Sequence, residues 1–109
     1  MKKAKIKIEI NDYTIEGIGS IYNDILHLKK EEDIEFDLKN LLLIKKNKEL
    51  ILTMKFLSKE VIYELVEENK KFINNFTIFS LTNDDKQVII RYRIEDADFL
   101  LKINYETIE

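Results

Sequence analysis

The stretch LSKEVIYELVEENKKFI, residues 57–73, decides how this chain is built, because everything on either side of it reads as short strands. Its apolar residues fall at Leu57, Val61, Ile62, Leu65, Val66, Phe72 and Ile73. That is the i, i+3/i+4, i+7/i+8 spacing of an amphipathic helix. Adjacent apolar pairs at Val61-Ile62 and Leu65-Val66 break the alternation a half-buried strand would show. Lys59, Glu60, Glu64, Glu67, Glu68, Lys70 and Lys71 fill the opposite face. Ser58 is placed to cap the first turn, Glu60 and the Lys70-Lys71 pair complement the helix dipole, and Asn74-Asn75 ends the pattern. The sequence predicts one helix over about residues 58–72.

Outward from this segment the period changes to two. Ala4, Ile6, Ile8 and Ile10 alternate with Lys3, Lys5, Lys7 and Glu9, a strand with one solvated face. Asn11-Asp12 suits a two-residue turn, and Tyr13–Tyr22 follows as a second strand holding both glycines, Gly17 and Gly19. Glycine inside a strand marks a bulge or sharp bend. Asn23-Asp24 turns the chain into Ile25–Lys29, and Glu31-Glu32-Asp33 turns it into the alternating Ile34, Phe36 and Leu38. Leu41–Ile44 is continuously apolar, which predicts cover on both faces. Leu50, Leu52, Met54 and Phe56 form one side of a sixth strand. After the helical segment, Phe76–Leu81 is again apolar on both faces, and a hairpin follows from Val88–Ile94 to Phe99–Tyr105.

The sum is about nine short strands in meander order, joined by Asn/Asp turns, with one helix between the sixth and seventh. This predicts one mainly β domain over residues 1–109: an antiparallel meander curled into a small barrel, with the helix plugging one end or covering one face. An α+β open sheet with the helix packed on one face, or a β-sandwich without it, are the alternatives.

Composition bounds the function classes. The chain has 109 residues, 45% apolar and 36% charged, with net charge -3. A mildly acidic, mixed surface does not suit a nucleic-acid partner. No apolar run approaches a membrane span and no secretory h-region follows Met1, so the expected setting is cytoplasmic with no membrane partner. The absence of cysteine excludes disulfides, thiolate metal sites and cysteine nucleophiles. Arg91 and Arg93 are the only arginines beside an abundance of lysine, asparagine and isoleucine, a bias an A/T-rich genome would produce.

Motifs for chemistry are sparse. His27 is the sole histidine, so a zinc site would have to be completed by carboxylates. A triad would have to join His27 to Ser20, Ser58 or Ser80, and none sits in a nucleophile elbow. The sequence places His27 on the outward face of a strand. Carboxylates cluster at Glu31-Glu32-Asp33, Asp84-Asp85 and Glu95-Asp96-Asp98, each in a turn, and none has the spacing of a calcium loop. Gly17-Ile18-Gly19 lacks the rest of a phosphate loop. No cofactor or catalytic residue is expected, and the balance leans away from an enzyme.

The pattern VIIRYRIEDADFLLKI, residues 88–103, follows IEGIGSIYNDILHL (15–28) and LLLIKKNKELILTMKF (41–56). In strand order and in the Tyr92-Arg93-Ile94 element, the chain resembles the small bacterial YwiB-like proteins. The resemblance implies a lipocalin-type, calycin-like β-barrel. It implies no catalytic residues. The chain departs from that pattern at Ile44-Lys45-Lys46, where an Arg-Gly element would stand, and in the helical spacing at Leu57–Ile73.

Two functional readings result. In the first, the barrel interior holds a small apolar or amphipathic molecule against Met54, Phe56, Tyr92, Phe99, Leu101 and Tyr105. In the second, the domain is a protein-interaction module or homodimer, because Leu41–Ile44 and Phe76–Leu81 need cover on both faces.

Overall fold

The alternating segments form strands, as their period requires. The computed structural model describes residues 1–108, and its elements are β1 (Lys2–Ile10), β2 (Tyr13–Tyr22), β3 (Ile25–Lys29), β4 (Asp33–Asp37), β5 (Leu42–Lys46), β6 (Leu50–Lys55), β7 (Glu60–Leu65), β8 (Lys70–Asn75), β9 (Thr77–Asp84), β10 (Gln87–Ile94) and β11 (Ala97–Ile108). Among the described residues there is no helix.

The predicted helix at 58–72 is therefore corrected: the segment is the β7–β8 hairpin. The open α+β sheet with a helix on one face is excluded with it. Two features of the hairpin mimic a helical pattern. Val61 points inward and is fully buried, yet Ile62 on the outer face is only 8% exposed. Ile62 lies between its cross-strand partners Thr53 and Ile73, so both faces of β7 are covered at this point. Two more apolar residues of the stripe, Leu57 and Val66, sit exposed in the loops that open and close β7. Each loop ends on a left-handed residue, Lys59 (φ 59°) and Asn69 (φ 51°), which turns the chain without glycine.

All eleven strands belong to one antiparallel sheet in the order β8-β7-β6-β5-β4-β3-β2-β1-β11-β10-β9. The first and last strands pair along their length, from Lys3 with Ile108 to Ile10 with Leu101. β8 and β9, at the two ends of the order, are separated in sequence by Phe76 alone. One residue is too short to reverse a chain, since the tightest common hairpin loop has two. Residues 70–84 therefore run on as one bent strand. Its first half pairs with β7 and its second half with β10, which draws the sheet round into a nearly closed barrel.

Inward residues fill the barrel. Ala4, Ile6 and Ile8 of β1, Leu26 and Leu28 of β3, Ile34 and Phe36 of β4, and Val88 and Ile90 of β10 are each at most 2% exposed. The ring of Phe56 lies 5.6 Å from both Phe76 and Tyr92, and 6.5 Å from Phe36. The residue at the bend of the long strand is thus pinned by the aromatic centre of the core. At Gly19 the β3 backbone presses close on β2: a Cβ built on it would lie 2.0 Å from the His27 carbonyl oxygen. Here the glycine is needed for close approach of two backbones.

Several of the turns are supplied by Asn and Asp. Asn23 and Asp24 both take positive φ, as a two-residue hairpin turn of type I′ requires. In the β4–β5 loop, Asp37 accepts hydrogen bonds from the backbone N–H groups of Lys39 and Asn40 at 3.0 Å and from the Asn40 side-chain amide at 2.8 Å. The Asn40 N–H, foremost among these, holds its carboxyl below the usual range against a smaller opposing effect of desolvation. A carboxyl lowered in the folded state stabilises above its unfolded value, about 3.9 for Asp, and the benefit is lost as pH falls through the folded value. Asp37→Ala is expected to cost about 1 kcal/mol at neutral pH, as loss of a capping side chain does. Urea titrations should show the gap between variant and parent narrowing when repeated at pH 3. A gap that is constant with pH would show that the carboxylate charge has no part in the turn.

Candidate functional site

The exposed apolar surface gathers on the segment that closes the barrel. Of the ten exposed large hydrophobic residues among those described, six (Leu57, Val66, Phe72, Ile73, Phe79 and Leu81) lie between positions 57 and 81. The reason is topological. β8 has β7 on one side only, and β9 has β10 on one side only, so each half of the long strand leaves one edge of backbone N–H and C=O groups unpaired. Every residue of β8 is exposed.

The outer face leads toward the β8 edge as an apolar row. Cross-strand register aligns Ile44, Thr53, Ile62 and Ile73 across β5, β6, β7 and β8. The first three are buried or half-buried, while Ile73 at the edge is 56% exposed. On the inner face, Leu52, Tyr63 and Phe72 align in the same way, and Phe72 is 50% exposed. Both rows end without a neighbour. At the β9 edge a bulge between Arg91 and Tyr92 leaves Phe79 as the extra residue, and the Arg93 guanidinium lies 5.3 Å from its ring centroid. This gives β9 a charged lid that β8 lacks.

The interior residues singled out in the sequence have mixed placements. Met54, Phe56, Tyr92 and Leu101 are buried, at 2%, 1%, 2% and 0% exposure, while Phe99 and Tyr105 are partly buried against the core. Tyr92 and Phe99 stack with ring centroids 5.2 Å apart. Burial pushes the Tyr92 phenol far above its ordinary pKa, with a smaller contribution from Tyr63, so it stays neutral. Tyr105 borders a surface groove of about 390 Å³ beside Lys5, Lys7, Glu16 and Lys86. Of the two segments expected to need cover, Leu41–Ile44 is buried or half-buried, whereas in Phe76–Leu81 only Phe76 is buried and Ile78 half-buried, the rest being exposed.

The carboxylate clusters separate into different roles. Glu32 lies 3.3 Å from Lys45 Nζ, and that ammonium sits 4.6 Å from the centroid of the Tyr13 ring. Burial raises the Tyr13 phenol, and Glu32 and then Glu31 raise it further. Asp98 receives a two-point contact from Arg93 at 2.6 and 3.2 Å, which holds the Asp98 carboxyl below its usual range. Asp33 turns instead to the sole histidine: His27 Nε2 lies 2.5 Å from Asp33 Oδ1. Glu35 stands directly across from His27 on the neighbouring strand, and Ser20 stands across from it on the other side. Sequence reading put His27 and Glu35 on outer strand faces and Asp33 in a turn, and did not bring them together. The signal was available in the spacing, since His27 and Glu35 are in register once the chain between them is read as a hairpin.

No helix is long and apolar enough to cross a membrane. The outer face of β1 carries Lys3, Lys5 and Lys7, charges that a lipid-facing strand does not tolerate at its centre. Set against known proteins, the chain matches no family model, no curated protein and no solved structure.

Proposed function

We propose that this protein is a protein-interaction module that associates with a second copy of itself through the free edge of β8. The observation that carries this reading is the unfinished outer row, Ile44-Thr53-Ile62-Ile73, which ends on an exposed isoleucine beside unpaired backbone groups. An exposed edge of this kind is completed by another strand. The sequence of β8, KKFINN, suits self-pairing. Antiparallel pairing centred on Ile73 sets Lys71 opposite the second copy's Asn75 and Phe72 opposite its Asn74. No lysine then faces a lysine, and the apolar row continues from one copy into the other. Like charges set directly opposite would destabilise such a ladder.

Binding of a small apolar molecule inside the barrel has less support. The rings of Phe56, Phe76, Tyr92 and Phe99 lie within 5.2–5.6 Å of one another along the chain of contacts that joins them, so the space is occupied by the protein's own side chains.

Sedimentation equilibrium over a wide concentration range tests the proposal. The parent protein is expected to show a reversible monomer–dimer equilibrium. Ile73→Lys should abolish it with thermal stability changed by no more than the few tenths of a kcal/mol typical of an exposed site. A parent that stays monomeric at all concentrations, or a dimer that survives Ile73→Lys, would overturn this reading.

A further inference from the structure

Away from the β8 edge, the outer face of β3 and β4 holds a set of donors that neither the fold nor the proposed association uses. One ligand atom each from His27, Asp33 and Glu35 lies within 4.8 Å of the others, and all three side chains are half-buried. We propose that His27, Asp33 and Glu35 bind a divalent transition-metal ion, with solvent completing its coordination.

The charge arrangement is the first argument. Asp33 lies between two lysines in register, Lys29 on β3 and Lys46 on β5. Neither comes within 4 Å of it, and its carboxylate turns to His27 instead. Glu35 has no salt-bridge partner among the described residues. One oxygen from each carboxylate and one imidazole nitrogen are thus gathered together, and no lysine or arginine among the described residues pairs with either carboxylate. A neutral imidazole offers a metal ion a nitrogen lone pair. A dication supplies what is missing: it neutralises both carboxylates and takes the nitrogen lone pair.

Donor type and geometry give the second argument. One imidazole nitrogen and two carboxylate oxygens form a mixed N/O set, which suits Zn²⁺ or Mn²⁺ and disfavours soft ions that need sulfur. Three protein ligands leave positions open for water, as in zinc sites that are not purely structural. The ligands stand on neighbouring strands joined by a short hairpin, so their Cα positions are fixed by the ladder of β3 and β4. Around an ion at about 2.1 Å from each ligand, donors lie roughly 3.0–3.4 Å apart. The His27–Asp33 contact at 2.5 Å has to widen by less than an ångström, and Glu35 has to close in. Both changes call only for side-chain rotation, with the half-buried ligands still reachable from solvent.

Because His27 is the only histidine, its two ring C–H resonances report on the site without ambiguity. The experiment is a titration of the full, untagged chain with ZnCl₂ and separately with MnCl₂, followed by NMR and by calorimetry. The expected result is one saturable site, a shift of the His27 ring signals with Zn²⁺, and their selective broadening with paramagnetic Mn²⁺. His27→Ala should weaken binding by at least ~100-fold, beyond the ten- to hundredfold that losing a mere supporting contact costs. Asp33→Asn and Glu35→Gln should each weaken it strongly while leaving the fold intact. Asp98→Asn, at a carboxylate already engaged by Arg93, should leave it unchanged. Ring signals that ignore both ions, or binding that persists in Asp33→Asn and Glu35→Gln, would overturn the proposal.

Discussion

Phe56→Ala is expected to destabilise the protein by about 3–5 kcal/mol, the range for removing a large ring from a core that cannot collapse into the space. Phe56 is 1% exposed and its ring touches the aromatic groups of three other strands or bends: Phe36 on β4, Phe76 at the bend of the long strand, and Tyr92 on β10. Edge-to-face pairs such as those with Phe76 and Tyr92 add to area burial. Against a total stability of roughly 5–15 kcal/mol for a domain of this kind, the loss is large. It also strikes the point that closes the barrel, because Phe76 is the residue that carries the chain from β7's side to β10's. Equilibrium urea unfolding checks the magnitude. Phe99→Ala is the control: Phe99 stacks on Tyr92 but is only partly buried, so its cost should be clearly smaller. Equal costs would show that the core is not centred on Phe56.

Gly19→Ala is the second substitution with a large expected effect, about 3 kcal/mol or more, at or above the upper end of overpacking costs. The added methyl carbon would lie 2.0 Å from the carbonyl oxygen of His27 and 2.9 Å from Ile6 Cδ1. The isoleucine can rotate away. The carbonyl cannot, because it belongs to the β3 backbone, whose residues on either side, Leu26 and Leu28, are each 1% exposed. Gly17 gives the contrast. The nearest atoms to its added carbon are the end of the Lys30 side chain at 2.8 Å and a Leu28 methyl at 3.3 Å, both of which can move. Gly17→Ala should therefore cost far less than Gly19→Ala in thermal unfolding. A reversed order would mean that β3 does not press on β2 at Gly19.

Much of this architecture is legible from residue spacing. The strict alternation of Ala4–Ile10 and Val88–Ile94 and the Asn11-Asp12 and Asn23-Asp24 turns appear in the structure where their patterns place them. Asn83 and Asp84 instead extend β9, Ala97 and Asp98 belong to β11, and β2 keeps an unbroken register with β1 through Gly17 and Gly19, so the expected bulge is absent there. The Leu57–Ile73 segment was misread for a definable reason. Period-two alternation announces a strand only when one face is wet, and β7 is covered on both faces at Val61-Ile62. Exposed Leu57 and Val66 in the flanking loops then completed a false helical stripe. The free strand edges were half legible: Phe76–Leu81 stood out as apolar on both faces, but β8 lay hidden inside the supposed helix. The His27 cluster was legible only in part: reading residues 25–38 as a hairpin sets His27 opposite Glu35, but Asp33 reads as part of the acidic turn Glu31-Glu32-Asp33 and not as a strand residue facing His27.

The pairing of β1 with β11 also shapes how the molecule must assemble. Every other neighbouring pair in the sheet is a hairpin between consecutive strands, whereas β1 and β11 bring together residues such as Ile8 and Ile103. Loop-closure entropy grows by about 0.6 kcal/mol per doubling of length, so joining these strands directly from an open chain costs roughly 3 kcal/mol more than forming a tight hairpin. That entropy weighs on the rate of folding more than on the final stability. The cheap route is sequential. Each hairpin that forms shortens the effective path, until the long strand at Phe76 bends round and the first and last strands are already near one another when they meet.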